Sequence, residues 1–127
     1  MKYATIDNDR YNGTYSGHKF TAWVGDAPDE IGCDDTTCVH FWNGYDEPNH
    51  TSFVYGGGDT ADQALAELCE VLISSGQDQD ALFEIIHDAD EYSDNKTPET
   101  TFFIVGTDLF KKHFPLTSAI LDDLSGD

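Results

Sequence analysis

GGGDTADQALAELCEVL, residues 56–72, is where the chain changes its period. From Ala61 onward, Ala61, Leu65, Leu68 and Leu72 recur at three- and four-residue steps and form one apolar helical stripe. Thr60 supplies an N-cap hydroxyl, and Gln63, three residues on, completes a capping box. Asp59 and Asp62 suit the positive end of the helix dipole, and Gly76 is a suitable stop. The three glycines Gly56–Gly58 are expected to end a sheet. A strand-forming first half joined to a helix-forming second half predicts an α+β domain. Its antiparallel sheet should have about four to five strands, with two to three helices packed on one face.

Upstream, Lys2 to Asp7 reads as a strand and Asp7 to Gly13 as turn chemistry, with Asn12-Gly13 a tight turn. Within residues 14–24, Phe20, Ala22 and Val24 share one face, with Lys19, Thr21 and Trp23 on the other. Residues 25–36 read as an acidic loop, Cys38 to Asn43 as an aromatic strand, 44–49 as a turn and Thr51 to Tyr55 as a further strand. Downstream, a second helix is expected from about Gln79 to Tyr92, with Leu82, Phe83, Ile86 and Ala89 inward. Residues 93–100 form a loop, and Thr101 to Val105 is the most apolar strand, a candidate for the sheet centre. Thr107 caps a short helix to Phe114, and Pro115 ends or kinks it before a last turn or two.

The segment Gly58 to Leu72 resembles the strand-to-helix junction of HicB-type antitoxins, which carry a similar Gly-x-Thr-x-x-x-Ala-Leu pattern. The resemblance covers about fifteen of the 127 residues. It implies a small α+β domain that covers a ribonuclease toxin. Here it supports the fold only.

The length suits one domain, residues 1–127, with a real core. The apolar content of 39%, with 13% aromatic, argues against wholesale disorder. No apolar run approaches the roughly 18 residues of a membrane span. MKYATIDNDR does not read as a signal peptide, so the expected location is the cytoplasm, the host's if the chain is phage-encoded. Three cysteines, Cys33, Cys38 and Cys69, do not make an even disulfide framework; Cys69, among Leu65, Leu68 and Leu72, reads as a core thiol.

Electrostatics is the strongest signal. Asp and Glu number 25 against 6 Lys and Arg, for a formal net charge of −19. This argues against direct nucleic-acid binding, which needs a basic patch, and against contact with anionic lipid. It costs stability through self-repulsion, so the acids call for a reason. On the expected second helix, Asp80, Glu84 and Asp88 fall at i, i+4 steps and Glu91 follows at i+3. Such steps put carboxylates about 6 Å apart along the axis, close to the roughly 6–7 Å between phosphates of one strand. In this respect the chain resembles the small acidic inhibitors of phages and mobile elements, the DNA-mimic anti-restriction and anti-CRISPR class. The likeness implies a non-enzymatic inhibitor that blocks the nucleic-acid site of a defence nuclease or surveillance complex. Its partner would be a basic nucleic-acid-binding protein. The loop acids Asp26, Asp29, Glu30, Asp34 and Asp35 are second candidates for that contact, and Asp46, Glu47, Asp122, Asp123 and Asp127 form lesser groups.

Two other readings share the charge. Adaptation to molar salt tolerates many acids, because salt screens their repulsion; Asp outnumbers Glu by 18 to 7 and Arg10 is the one arginine. An antitoxin-like or adaptor domain would bind a basic partner without mimicking nucleic acid.

Catalytic and metal readings have less behind them. Cys33, Cys38, His40 and His50 offer thiolate and imidazole ligands, but Cys38 and His40 are expected on one strand face with His50 in another loop, so no metal or cofactor is assigned. With 25 acids some carboxylate pair always fits a glycosidase, so the pairing carries no information. No EF-hand, Walker or nucleophile motif is present, and His18, His87 and His113 are isolated in sequence. Trp23, Trp42, Tyr45 and Tyr55 suit either a core or an interface. An uncovered sheet face would bind a partner or, in a homodimer, a second copy.

Overall fold

The computed structural model describes residues 3–8, 13–14, 16–32, 34–45, 49–75, 83–89 and 100–125. Five strands, β1 (Tyr3–Asn8), β2 (Phe20–Val24), β3 (Tyr55–Gly58), β4 (Ile85–Ala89) and β5 (Thr100–Ile104), form one sheet in the order β3-β2-β1-β4-β5. With them run the helices α1 (Asp35–Asn43), α2 (Ala61–Ser75), α3 (Asp108–His113) and α4 (Pro115–Ser125). The class is α+β, as expected. The sheet is mostly antiparallel; β1 and β4 pair in parallel.

Strand alternation sorts the side chains into two layers. Ala4, Ile6, Ala22, Ile86 and Phe103 face Ala64, Leu65, Leu68, Cys69 and Leu72 of α2, and Phe110 and Phe114 close this core. The second layer is smaller. Trp23 on the opposite face packs with Ile31, Cys38, Phe41 and Trp42, so α1 lies across the sheet from α2. The Trp23 ring stacks on Tyr55 at 5.0 Å, and its indole N–H donates to the Thr21 hydroxyl at 2.9 Å.

Gly56–Gly58 does not end the sheet: it is most of β3. The strand lies so close to α2 that a Cβ on Gly56 would collide with the Leu68 and Ala64 backbone. A Cβ on Gly58 would meet the Gln63 Cβ at 2.6 Å, and one on Gly57 would meet the His18 ring on the other face. The glycines are there because helix and ring both rest on bare backbone.

Four further expectations change. Cys38 to Asn43 is helical. Asp34 accepts a hydrogen bond from Thr37 N at 2.9 Å as the N-cap, and Gly44 ends the helix at φ 82°. Cys38, Phe41 and Trp42 are buried at i, i+3 and i+4, a helical period that the aromatic content masked. Within the span expected to be a second helix, Gln79 to Tyr92, Ile85–Ala89 is instead β4, inserted between β1 and β5, and residues 79–82 and 90–92 lie outside the described residues. Ile85-Ile86 favours a strand, and like charges at i, i+4 disfavour a helix by roughly 0.2–0.5 kcal/mol per pair. Thr51 to Tyr55 holds a 3-10 turn, His50–Ser52, before β3 begins. The apolar strand β5 is at the sheet edge rather than its centre, which is β1.

α4 starts from Pro115, whose missing N–H and fixed φ suit the first helical position. Its cap is supplied from α2. Asp62 accepts hydrogen bonds from Leu116 N at 2.8 Å, Thr117 N at 2.9 Å and the Thr117 hydroxyl at 2.8 Å.

Two predictions follow from this packing. Gly56→Ala should cost about 3 kcal/mol, at the top of the range for overpacking, and Gly57→Ala less, because the His18 ring can rotate away. Urea denaturation followed by circular dichroism measures both, and equal loss in the two variants would contradict the close helix approach. Asp62→Ala should cost about 2 kcal/mol, as for a lost N-cap. Amide exchange should rise first in α4; a variant whose α4 amides stay as protected as the parent's would refute the tertiary cap.

Candidate partner-binding surface

The nine carboxylates expected to meet a partner are divided by the fold. Asp80 and Glu91 lie outside the described residues. Glu84 is exposed just before β4, where its carbonyl accepts from Val105 N at 3.0 Å. Asp88 is in β4, opposite Ile6 and Thr101. Four strand residues span about 13 Å, so Glu84 and Asp88 do not reproduce the phosphate-like spacing that a helix would give. Asp29 and Glu30 are in a 3-10 turn, Asp29–Gly32, with Glu30 half-buried. Asp34 and Asp35, both exposed, cap and open α1.

Several acids serve the backbone. Besides Asp34 and Asp62, Glu67 accepts from Gly57 N at 2.7 Å. Gly57 is on an edge strand, so this carboxylate occupies a donor that an incoming strand would use. Burial, with Glu67 nearby, pushes the Tyr55 phenol up. Burial, reinforced by Glu70, also pushes the Cys69 thiol up to about 12, which removes it as a nucleophile. Glu67 and Glu70 are exposed on α2 and Asp59 just before it, and Asp122 and Asp123 are exposed on α4. Glu67 and Glu70, with Val71, Ser74 and Ser75, border a shallow open depression of about 550 Å³.

The aromatics divide between the two readings that the sequence left open, core and surface. Trp23 and Trp42 are buried in the second core and Tyr55 is half-buried. Tyr45, 75% exposed, faces His40 edge-on at 5.6 Å. His50 sets Nδ1 at 3.3 Å from the Phe41 carbonyl and Cys38 is buried in the core. Among the described residues no three His, Cys, Asp or Glu side chains converge on a metal-sized site.

A different surface emerges from register. Tyr55, Trp23, Thr5, His87 and Phe102 are successive cross-strand partners, one row on one face of all five strands. The row is covered by α1 at Tyr55 and Trp23 and open at its other end. Phe102 is 60% exposed and Ile104, two residues on, 62%. The His87 ring stacks on Tyr3 at 4.9 Å and meets Phe102 edge-on at 4.7 Å. The Tyr3 hydroxyl donates to Asp26 Oδ1 at 2.9 Å. Tyr3, Asp26 and Glu84 are therefore at the same end of the sheet, where Gly25 N bonds the Tyr3 carbonyl and Tyr3 pairs with Ile85. Asp26 and Glu84 belong to segments two strand spacings apart, about 10 Å. So the fold brings one acid of the loop group to the same end of the sheet as one from the expected helix. The sequence signal for this surface was the alternation in TFFIV: at an edge, Phe102 and Ile104 must point away from the core that takes Phe103.

No family model, curated protein or solved structure matches the chain.

The Tyr3–Asp26 bond has a titration signature. That hydrogen bond, then partial desolvation and the Asp26 charge, raise the Tyr3 phenol above its ordinary value. The neutral phenol is the donor, so the stabilisation is complete below the unfolded value of about 10 and is lost as pH rises through the higher folded value. In Asp26→Ala, NMR of ring-labelled tyrosine should show Tyr3 titrating at lower pH than in the parent; an unmoved titration would mean that Asp26 does not hold the phenol.

Proposed function

We propose that this chain is a non-enzymatic inhibitor. Its negatively charged surface occupies the cationic nucleic-acid site of a defence nuclease or surveillance complex. The observation that carries the reading is the net charge of −19 on an ordered α+β fold whose exposed carboxylates, among them Asp26, Asp34, Asp35, Glu67, Glu70, Asp122 and Asp123, face solvent. A cationic groove gains most from such a surface. Association is fast, steered over a Debye length and weakened by salt. The carboxylates are set by several elements rather than by one helix, so the mimicry proposed is of a charged surface and not of a regular phosphate row.

Salt adaptation has an observation of its own. The exposed acids lie on both layers, on α2 and α4 as well as on the α1 side. A chain adapted to molar salt would also be acid-rich all round.

Two measurements separate these readings. Thermal melts at about 0.1 and 2 M KCl differ mainly in self-repulsion, because the Debye length falls below 3 Å at the higher salt. The inhibitor reading expects a cooperative melt well above room temperature at low salt. It also expects stoichiometric, salt-sensitive displacement of a fluorescent DNA or RNA duplex from at least one member of a panel of purified restriction nucleases and RNA-guided complexes. Folding only at high salt, or no displacement across the panel, would reject it.

A further inference from the structure

We propose that the open half of the sheet, at β1, β4 and β5, is the docking surface for an extended arginine-bearing segment of a protein partner. Such a segment would lie on Phe102 and Ile104 along the edge strand and reach Asp26 and Glu84 at one end. This deepens the reading above and rests on its cationic partner.

Three observations commit the surface to that occupant. The first is composition. The five strands contain no Lys or Arg, and the chain as a whole carries a formal net charge of −19. Asp26 and Glu84 stand at the end of the platform where Tyr3 and Ile85 begin their pairing. The second is chemistry. The exposed Phe102 ring, with Tyr3 and His87 beside it, offers an aromatic surface on which a guanidinium stacks while its N–H groups reach a carboxylate. Apolar side chains of the same segment would cover Ile104. The third is size. Three strands of five or six residues present roughly 15 Å by 17 Å, on the order of 250 Å². A stable globular interface takes about 800 Å² from each partner. The platform has room for one extended segment laid on the face. It is too small by itself to hold two copies together against their mutual charge.

The two edges of the sheet differ accordingly. At β3 the outward-facing Gly57 N–H is occupied by Glu67. At β5, among the described residues, no strand lies on the outer side.

The test uses the full chain and a capped nine-residue peptide of alternating Arg and Val, with a Glu–Val peptide as control. Titration followed by NMR should shift the His87, Phe102 and Ile104 resonances with the Arg peptide and not with the Glu peptide. Affinity should fall at least tenfold in Phe102→Ser/Ile104→Ser. It should fall several-fold in Asp26→Asn, and stay unchanged in Leu109→Ser, which removes a comparably exposed apolar residue on α3. Melts of each variant establish that it is folded, and Phe102→Lys supplies a second variant should the double change unfold the chain. Undiminished binding in the Phe102 and Ile104 variants would overturn the docking surface and leave the electrostatic reading standing. A dimer in sedimentation that those variants dissolve would assign the face to a second copy and overturn the proposed occupant. Equal binding of Arg and Glu peptides would overturn the cationic partner itself.

Discussion

The fold depends on a strand without side chains. β3 is Tyr55 followed by three glycines, and α2 rests directly on its backbone at Gly56 and Gly58. An ordinary strand holds a helix about 10 Å away, at the distance that side chains on both surfaces require. Here the helix descends at the edge of the sheet, and Leu65, Leu68 and Leu72 reach the small residues Ala4 and Ala22 on the neighbouring strands. Ala4 and Ala22 fit the same geometry, since larger side chains there would lift α2 off the glycines. The position of α2 then fixes α4, because the carboxylate that caps α4 projects from the first turn of α2.

This explains part of the acidity in structural terms. Asp34 caps α1, Asp62 caps α4 and Glu67 closes the β3 edge. Each carboxylate satisfies backbone N–H groups that helix starts and sheet edges leave without partners. Neutral Ser, Thr or Asn caps do the same work, as Thr60 and Thr107 do here. Capping therefore accounts for where some acids sit, not for their excess over lysine and arginine. That excess costs stability through repulsion, and the fold offsets it with two aromatic and aliphatic cores on either side of one sheet.

The legible parts of the sequence were those with a single strong local signal. The Thr60 cap and the stripe from Ala61 to Leu72 gave α2, although the Gln63 side chain bonds Asp59 N rather than closing the box on Thr60; Thr107 gave α3, and the alternation from Phe20 to Val24 gave the faces of β2. The misread segments were those in which two signals competed. In DTTCVHFWN the aromatic residues favoured a strand, while the i, i+3, i+4 spacing of Cys38, Phe41 and Trp42 and the Asp34 cap favoured the helix that forms. Around Glu84 to Asp88 the apolar spacing fitted a helix, but β4 also pairs on both sides, a nonlocal gain that no local pattern records. The candidate surface was hidden for the same reason. Tyr3, His87 and Phe102 are 84 and 15 residues apart in sequence and meet only through strand register. Asp26 joins them through the Tyr3 hydroxyl.

The high charge and the open sheet face constrain each other. An edge strand that exposes Phe102 and Ile104 is a template for a second copy to pair with. At −19 per chain, two copies approaching edge to edge repel, while a cationic segment is drawn in by the same field. One physical term therefore opposes self-association and favours a segment of opposite charge. The discrimination is strongest at low ionic strength and weakens once the Debye length falls well below the roughly 10 Å between the Asp26 and Glu84 segments. Above that salt concentration the apolar contact of Phe102 and Ile104 no longer distinguishes a partner from a copy. The balance between partner and copy is thus a property of ionic strength as much as of sequence.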